Sequence, residues 1–511
     1  METPNPRRSW TYGDPFGADE QFYANHNSKI AERGGRRRWL AVVVTVLAAI
    51  LVGLGAVLVV RPGPVDRWMA GDPSTSGTVS ATPEPTPTPV LAAADNGGPA
   101  PSAAALRAAI EPLVQAKALG AVVNVSIVDG GTGEALYQHN PDTRTTPAST
   151  TKLLTAAAVL AARGPAYRLT TRAVAGGEPG DVVLVGGGDP TLAVSSVGQF
   201  PGAARLDRLA AQVKKALGAT KPRRVMIDTS LFTGSSIAPG WSRADISPGG
   251  QVAAIQALMT NAGRITPVHH EVGADPRFRD PALAAGMAFA RQLGVPTAVT
   301  RSIAPAAASP GPSGAPGTVA PGTELGAVQS PPLVQLSDWM LQQSDNVIAE
   351  ALGRQVALAA GEPASFQGAA AAITAKLREL GLDADEALLY DASGLSRRDA
   401  ISPSLLTDVL ALAAGGTQPA VAALSGGLPV AGWSGTLRTR FVTPGPNRVG
   451  QGVVRAKTGS LSGVNAMAGE LVTRDGRLLV FAIMAKGAPS ALAARTALDR
   501  VAAELVACGC G

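Results

Sequence analysis

A serine and a lysine three positions apart stand at the start of a predicted helix and could act as a nucleophile and its base. Ser149 and Lys152 are followed by an apolar run that stops at Gly164. Read with a helical period, the two side chains project from one face. A neutral lysine amine can take the serine proton if burial and nearby positive charge lower its pKa. The helix N-terminus would also direct backbone N–H groups at an oxyanion that forms there.

Alone, this spacing favours a simpler explanation, a helix N-cap followed by a solvated lysine. Two further triplets change the balance: Ser344-Asp345-Asn346 and Lys457-Thr458-Gly459. Each of the three patterns occurs once in the chain, and they follow one another in the order found in penicillin-binding proteins and class A β-lactamases. The set is specific, although the second triplet alone could cap a helix and the third could end a strand.

The elements that must hold these residues belong to a chain of 511 residues with 46% apolar content, enough for a sizeable core and more than one domain. The formal net charge is +6, and the densest basic cluster, Arg33 and Arg36 to Arg38, immediately precedes an uncharged apolar run from Trp39 to Val60. That placement is typical of membrane topology and not of nucleic-acid binding. The run is long enough to span a bilayer.

The apolar run is predicted to be an uncleaved anchor, because it is longer than a signal-peptide core and lacks a nearby Ala-x-Ala-like cleavage site. With arginines on its N-terminal side, residues 1–38 form a cytoplasmic tail and residues 39–60 a transmembrane helix. Residues 61–101 are rich in Pro and Thr and form an extended stalk. The predicted localisation is the cell membrane, with a single pass and an extracytoplasmic catalytic domain.

The rest of the chain is predicted to be α/β. Strand-like runs alternate with helical patterns near both of its ends, so helices packed on an antiparallel sheet are expected. These runs are residues 122–128, 464–472 and 478–484. The stretch between the first two triplets contains short strand-like runs among many Gly and Pro. The catalytic domain is therefore assigned to residues 102–171 and 327–511, with one or more inserted β-rich domains at 172–326.

The three triplets, their order and the long first interval resemble the low-molecular-mass penicillin-binding proteins. The resemblance is to the D-alanyl-D-alanine carboxypeptidase/endopeptidase family that carries extra domains between its first two motifs. Three further stretches resemble that family: Gly186 to Leu192, Ser330 to Leu333 and Asp391 to Arg397. The resemblance covers roughly residues 100–507. It implies a layered penicillin-binding (serine β-lactamase-like) transpeptidase domain, interrupted by the insertion.

Each catalytic role is implied by the resemblance and carried over to a matching residue. Ser149 attacks the penultimate D-alanine carbonyl, forms an acyl-enzyme and releases the terminal D-alanine, while Lys152 takes its proton. Ser344 relays a proton toward the leaving amine, and Asn346 hydrogen-bonds the substrate amide. Lys457 is expected to lower the pKa of Lys152 and to supply charge for the substrate carboxylate.

The resemblance also implies a set of substrate-binding residues on the strand of the third triplet. Thr458 and Ser460 hold the terminal carboxylate of the substrate. Gly459 lets the strand approach the substrate closely, because it has no Cβ. The backbone N–H groups of Ser149 and Ser460 form the oxyanion hole.

The function implied is that of an exported serine D-Ala-D-Ala carboxypeptidase that trims peptidoglycan stem peptides. Penicillins would be covalent inhibitors, and cleavage of cross-links is left open. No cofactor is implied. No metal site is expected either, because the histidines have no ligand spacing. They are His26, His139, His269 and His270.

Two alternatives remain. A serine β-lactamase needs a glutamate that activates the deacylating water. Glu379 falls at a suitable distance after the second triplet, but it points away from the apolar stripe of its predicted helix and is interpreted as a surface charge. The other alternative is a non-catalytic protein that binds peptidoglycan or β-lactams without useful turnover.

Three features are given minor interpretations. Asp391 to Arg397 is interpreted as a turn with a charged rim and is left out of the site. Trp241 and Asp245 of the insertion are candidates for contact with the rest of the stem peptide. Cys508 and Cys510 flank one glycine, and a bond between them would close a strained ring. They are therefore predicted to be free, paired between chains or incidental.

Overall fold

The computed structural model describes residues 98–267, 275–306 and 319–508. The predicted cytoplasmic tail and transmembrane helix, and most of the stalk, lie outside the described residues. Within the described ranges, no single helix is both long and apolar enough to cross a membrane. One sharply bent helix pair, Pro403–Ala414 with Pro419–Gly427, meets that criterion by length and composition alone.

The described residues form helices and strands in the following order along the chain. The helices are α1 (Ala103–Val114), α2 (Thr151–Arg163), α3 (Leu206–Leu217), α4 (Arg243–Ile246), α5 (Pro281–Leu293), α6 (Leu333–Gln343), α7 (Asn346–Ala359), α8 (Phe366–Glu379), α9 (Pro403–Ala414), α10 (Pro419–Gly427) and α11 (Ala491–Ala507). The strands are β1 (Val122–Asp129), β2 (Ala135–His139), β3 (Thr170–Ala175), β4 (Asp181–Val185), β5 (Arg224–Asp228), β6 (Thr300–Arg301), β7 (Glu324–Gln329), β8 (Ala387–Leu388), β9 (Ala400–Ile401), β10 (Arg455–Leu461), β11 (Val464–Val472) and β12 (Leu478–Lys486).

The first sheet joins the two ends of the described chain. Its strand order is β10-β11-β12-β1-β2, and every neighbouring pair is antiparallel, as the sequence predicted. Alternate side chains of β11 pack in two different hydrophobic cores, because successive residues of a strand point to opposite faces of the sheet. Met467 packs with α1 and α11, whereas Ala466 and Ala468 pack with α2 and α9. Helices therefore cover both faces of this sheet.

Helix α2 is the centre of the largest core. All residues from Thr151 to Leu160 are buried, as expected for a helix that is enclosed on every side. It packs in one apolar cluster with residues of α6 to α10 and with one face of the first sheet. The helix ends at Gly164, whose φ of 79° suits glycine. Its first turn is thus held rigidly beside the edge strand β10.

The segment between the first two triplets forms a second sheet of order β6-β5-β4-β3-β7. Its pairing is mixed: β4-β5 and β5-β6 are parallel, whereas β3 pairs antiparallel with both β4 and β7. The segment thus contains the predicted strands but is α/β and not mainly β, because α3 and α5 pack against the sheet in a core of their own. Parallel neighbours require crossover connections, and these helices lie within such crossovers.

One of the options predicted for the C-terminal cysteines, a free thiol, is excluded for Cys508. Cys508, which follows α11, is disulfide-bonded. Its partner lies outside the described residues.

Candidate active site

Ser149 lies in a tight turn that leads directly into α2. The turn is a single 3-10 segment, Ala148–Thr150, and Ala148 has a positive φ of 48°. The Thr150 hydroxyl donates to the carbonyl of Pro147 at 2.8 Å, and the Thr151 hydroxyl donates to that of Ala148 at 3.0 Å. These two hydroxyls fix the backbone on either side of Ser149. The serine therefore stands at the helix start, as the sequence predicted.

Lys152 is fully buried and its ammonium meets three acceptors. The Nζ atom lies 3.0 Å from Ser149 Oγ, 2.7 Å from Asn346 Oδ1 and 2.7 Å from the carbonyl oxygen of Ser393. Three donors matched to three acceptors fix the position of the amine. The structure thus brings Ser149, Lys152 and Asn346 together. Once Lys152 is neutral, the same separation from Ser149 allows its amine to accept the hydroxyl proton.

The second triplet forms the junction between α6 and α7. Ser344 has a left-handed φ of 54° between the two helices. Asp345 caps α7 by accepting from the backbone N–H groups of Val347 and Ile348. The second triplet therefore does cap a helix, through Asp345. Ser344 and Asn346 line the groove beside Ser149. The amide of Asn346 is occupied at both ends, since Nδ2 donates to the carbonyl of Gln251 at 2.9 Å.

Two buried arginines near the second triplet were not identified from the sequence. Arg264 Nη2 lies 2.9 Å from Asp345 Oδ2, and its Nε lies 2.7 Å from Asp275 Oδ2. Burial alone would raise the pKa of Asp345, but Arg264, Arg277 and the helix N–H groups bring it down to about 2. Asp345 is therefore ionised at neutral pH and acts as an anionic anchor for the start of α7. No short sequence motif identifies the ion pair between Arg264 and Asp345, because the two residues are distant in sequence.

The third triplet lies on the edge strand β10, next to the nucleophile turn. Thr458 and Ser460 line the groove, and the Thr458 hydroxyl is 2.8 Å from that of Thr436. Lys457 is completely buried, and its Nζ donates to the carbonyl of Thr458 at 2.7 Å. Gly459 was expected to make room for substrate. The structure shows that its lack of a Cβ makes room for the nucleophile turn.

Gly459→Ala is expected to lower both stability and the rate of acylation by penicillin. A Cβ here would lie 2.6 Å from the carbonyl oxygen of Pro147, so β10 and the nucleophile turn must separate. Such overpacking typically costs about 1–3 kcal/mol of unfolding free energy. Thermal unfolding and penicillin acylation kinetics would measure both effects. Gly177→Ala is the matched control, because a Cβ at Gly177 meets nothing within 4 Å. Unchanged values for both quantities in Gly459→Ala would contradict the prediction.

The two lysines of the site both have a lowered pKa, for partly different reasons. Burial lowers the pKa of Lys152 to about 8, against the opposing effect of buried carboxylates, of which Asp391 has the largest. Burial is also the main reason why the pKa of Lys457 lies well below its usual value, and the charge of Lys152 adds to it. The sequence predicted that burial and the positive charge of Lys457 would both lower the pKa of Lys152. In the structure, burial is the main cause.

The acylation rate is expected to rise as the pH increases through about 8, because only the neutral form of Lys152 can accept the serine proton. A pKa of 8 leaves about a tenth of the amines neutral at pH 7. A lysine with the ordinary value of 10.5 would place the rise far higher. The second-order rate constant for penicillin acylation, measured between about pH 6 and about pH 10, reports this pKa for the free enzyme. A flat profile, or a rise only near pH 10, would contradict the prediction.

A groove of about 1020 Å³ runs past Ser149 between the two triplets. Its lining includes Asp245 from α4 and Arg397 from the loop before β9. Trp241, the other candidate for contact with the stem peptide, is not among the residues that line the groove. Its indole N–H donates to Asp391 Oδ2 at 2.7 Å. Both side chains have structural partners, since Asp245 Oδ2 also accepts from the backbone N–H and the hydroxyl of Ser242. Asp245 remains a candidate substrate contact because it lines the groove.

Two other interpretations can be compared with the structure. Glu379 has a side chain that is 64% exposed and pairs with Lys376 on α8, as its interpretation as a surface charge requires. The exclusion of Asp391 to Arg397 from the site is wrong, because the carbonyl of Ser393 accepts from Lys152. Nothing in the sequence of this Gly-containing turn indicated that the backbone carbonyl of Ser393 would accept a hydrogen bond from Lys152. Within the described residues, no group of three or more His, Cys, Asp or Glu side chains is arranged to hold a metal ion.

Comparisons with known proteins match most of the chain to one family. The D-Ala-D-Ala carboxypeptidase 3 (S13) family matches residues 106–309 and 279–505. A carboxypeptidase of Mycobacterium tuberculosis is 42% identical over 417 residues, which cover 80% of this chain and 85% of the relative. Carboxypeptidase DacB of Mycolicibacterium smegmatis is 39% identical over 484 residues, with 94% and 99% covered.

One solved structure shows the same fold. Penicillin binding protein 4 of Haemophilus influenzae superposes with a TM-score of 0.58 and 23% sequence identity, covering 77% of this chain and 97% of that chain.

Proposed function

The chain belongs to the D-Ala-D-Ala carboxypeptidase 3 (S13) family, and from this we propose that it removes the terminal D-alanine from peptidoglycan stem peptides through an acyl-enzyme on Ser149. The observation that carries the proposal is the 3.0 Å separation between Lys152 Nζ and Ser149 Oγ at the floor of an open groove. A buried lysine with a pKa of about 8 is suited to the role of general base.

The reaction begins with proton transfer from Ser149 to neutral Lys152. The serine oxygen then bonds to the carbonyl carbon of the penultimate D-alanine, and the negative charge moves to the carbonyl oxygen. The backbone N–H groups of Ser149 and Ser460 are the proposed donors to that oxyanion. Collapse of the intermediate breaks the peptide bond, and a proton passed from Lys152 by way of Ser344 neutralises the leaving amine. Water then hydrolyses the acyl-enzyme and regenerates the serine.

Substrate binding is assigned to the groove side of β10. Thr458 and Ser460 are proposed to hold the terminal carboxylate, helped by the hydroxyl of Thr436, which contacts that of Thr458. Lys457 lies beneath them on the same strand. Asp245 also lines the groove and is a proposed contact for the stem peptide. A β-lactam presents a carboxylate and a reactive carbonyl to the same groups, so it would acylate Ser149 as well.

The proposed location is the cell membrane, with the catalytic domain outside. The support comes from the sequence: an uncharged apolar run at residues 39–60 follows an arginine cluster, and a Pro- and Thr-rich stretch separates it from the folded part. A stalk of this kind would let the catalytic domain reach the wall while the chain remains anchored.

The test uses full-length protein in detergent, given a stem peptide that ends in D-Ala-D-Ala and, separately, a penicillin. Release of D-alanine from the peptide, together with a stable penicillin adduct in the intact-protein mass, is the expected result. Rapid loss of the penicillin without a lasting adduct would indicate a β-lactamase instead. An adduct without any D-alanine release would indicate a binding protein. Either of these last two results would overturn the proposal.

A further inference from the structure

The loop that begins at Asp391 is attached to the catalytic helix by consecutive backbone carbonyls. The carbonyl of Ala392 accepts from the Thr155 hydroxyl at 2.6 Å, and that of Ser393 accepts from Lys152 Nζ at 2.7 Å. Both donors belong to α2. At the next residue, a Cβ on Gly394 would lie 1.8 Å from the carbonyl oxygen of Ala148. The loop therefore contacts both the base and the turn that carries the nucleophile.

The carboxylate of Asp391 organises this loop. Its Oδ1 accepts from the backbone N–H groups of Ser393 at 3.0 Å and Gly394 at 2.6 Å. Its Oδ2 accepts from the N–H of Ser396 at 2.6 Å and from the indole N–H of Trp241 at 2.7 Å. These four hydrogen bonds join the buried carboxylate to three residues of its own loop and to one residue outside it. The backbone N–H that Asp391 holds and the carbonyl that Lys152 meets belong to the same residue, Ser393.

Trp241 connects the Asp391 carboxylate to the part of the chain that forms the second sheet. It lies between β5 and α4, and its ring packs edge-on against Phe366 of α8, with 5.3 Å between the ring centroids. The indole is thus held by an apolar contact on one side and by Asp391 on the other. This arrangement links α4, which contributes to the groove wall, to the loop that supports the base.

Two further buried acids adjoin Asp391. Burial, together with the nearby Asp391, raises the pKa of Asp399 to about 10, so Asp399 is neutral at pH 7. Glu350 of α7 accepts from the N–H of Ala392 at 3.0 Å, and burial raises its pKa to about 8. Asp391 therefore belongs to a cluster of three buried carboxyl groups, and burial raises the pKa of the other two.

Resting on the proposed function, we infer that Asp391 is a positioning residue for the acylation step: its carboxylate holds Ser393 and Gly394 so that Lys152 Nζ stays within reach of Ser149. The role is distinct from catalysis, because Asp391 acts through the loop and does not itself contact the reacting atoms.

The carboxylate also affects Lys152 electrostatically, so its removal has a signature beyond slower acylation. The charged or titratable groups that face Lys152 are Asp345 and Glu350 from α7, Asp391 and Asp399 from the loop, and Lys457 from β10. Among the carboxylates, Asp391 has the largest effect in raising the pKa of Lys152. Loss of its charge should therefore move the acid limb of the pH–rate profile to lower pH.

The test compares Asp391→Asn with full-length wild type in penicillin acylation over a range of pH. Asparagine keeps one acceptor oxygen but turns an N–H₂ group toward other donors. A misplacement of the base by about 1 Å is expected to slow acylation about 10²-fold. The inflection of the profile should also move to lower pH. Glu379→Gln, which removes an exposed carboxylate of α8, is the matched control and should change neither quantity.

A second variant, Trp241→Phe, removes one donor to Asp391 while keeping an aromatic ring against Phe366. We expect acylation about fivefold slower, the effect of one lost hydrogen bond, with the inflection unmoved. If Asp391→Asn does not fold, this variant decides: a wild-type rate overturns the inference and a slower rate at an unchanged melting temperature supports it. If Asp391→Asn folds, an unshifted inflection overturns it. A wild-type protein that fails to acylate would instead refute the proposed function.

Discussion

Replacing Ser149 by alanine is expected to abolish the penicillin adduct and to reduce D-alanine release by at least about 10⁴-fold, because the variant lacks the proposed nucleophile. The fold should persist. The hydroxyl makes one hydrogen bond, to Lys152, whose Nζ keeps its contacts with Asn346 and Ser393. The free energy of unfolding should therefore change by only about 1 kcal/mol. Intact-protein mass after penicillin treatment and release of D-alanine from a stem peptide measure the effect.

Ser196→Ala is a suitable control, because Ser196 is exposed and lies away from the groove. It should acylate like the wild type. An adduct that persists in Ser149→Ala would mean that another nucleophile reacts, and the proposed chemistry would then fail.

Replacing Lys152 by methionine is expected to slow acylation about 10²–10⁴-fold, the usual contribution of a general base. Methionine has a similar length and suits a buried site, but it cannot take a proton. The serine and the proposed oxyanion donors remain, so slow formation of a penicillin adduct should still be detectable. This residual reaction distinguishes the variant from Ser149→Ala. Acylation rates measured at several penicillin concentrations, with thermal unfolding as a check on the fold, test the prediction.

The control for this variant is Lys376→Met, which removes a lysine from α8 that pairs with Glu379. It should acylate at the wild-type rate. If Lys152→Met acylated within a few-fold of wild type, Lys152 would be a structural cation, and the base would have to be sought elsewhere in the groove.

The sequence was most informative where local pattern decides structure. The strands β11 and β12 followed from short apolar runs on either side of a turn, and the start of α2 followed from a Ser-x-x-Lys spacing before an apolar helix. The mixed pairing of the second sheet was not predicted, because the many Gly and Pro residues of that segment were interpreted as turns between short strands. Helix α3 did carry a signal, since Leu206, Leu209, Ala210, Val213 and Leu217 recur with a helical period.

The supporting residues of the site were harder to predict. Asp345 meets Arg264, and Lys152 meets the carbonyl of Ser393, through contacts between positions far apart in the chain. Backbone carbonyls have no residue type, so a sequence pattern cannot identify one as a partner of the base. The weight given to Lys457 in lowering the pKa of Lys152 was too large for a related reason, since the extent of burial depends on packing and not on neighbouring residue types.

The ion pair between Arg264 and Asp345 has a consequence for how this chain could be shortened or recombined. Arg264 lies in the segment between the first two triplets, while Asp345 belongs to the second triplet itself, and both side chains are buried. A chimera that replaced this segment with a short linker would leave the Asp345 carboxylate without its cation at the start of α7. The segment is therefore not an independent addition to the catalytic domain. A shortened enzyme made by deleting it would lose the ion pair that stabilises its second triplet.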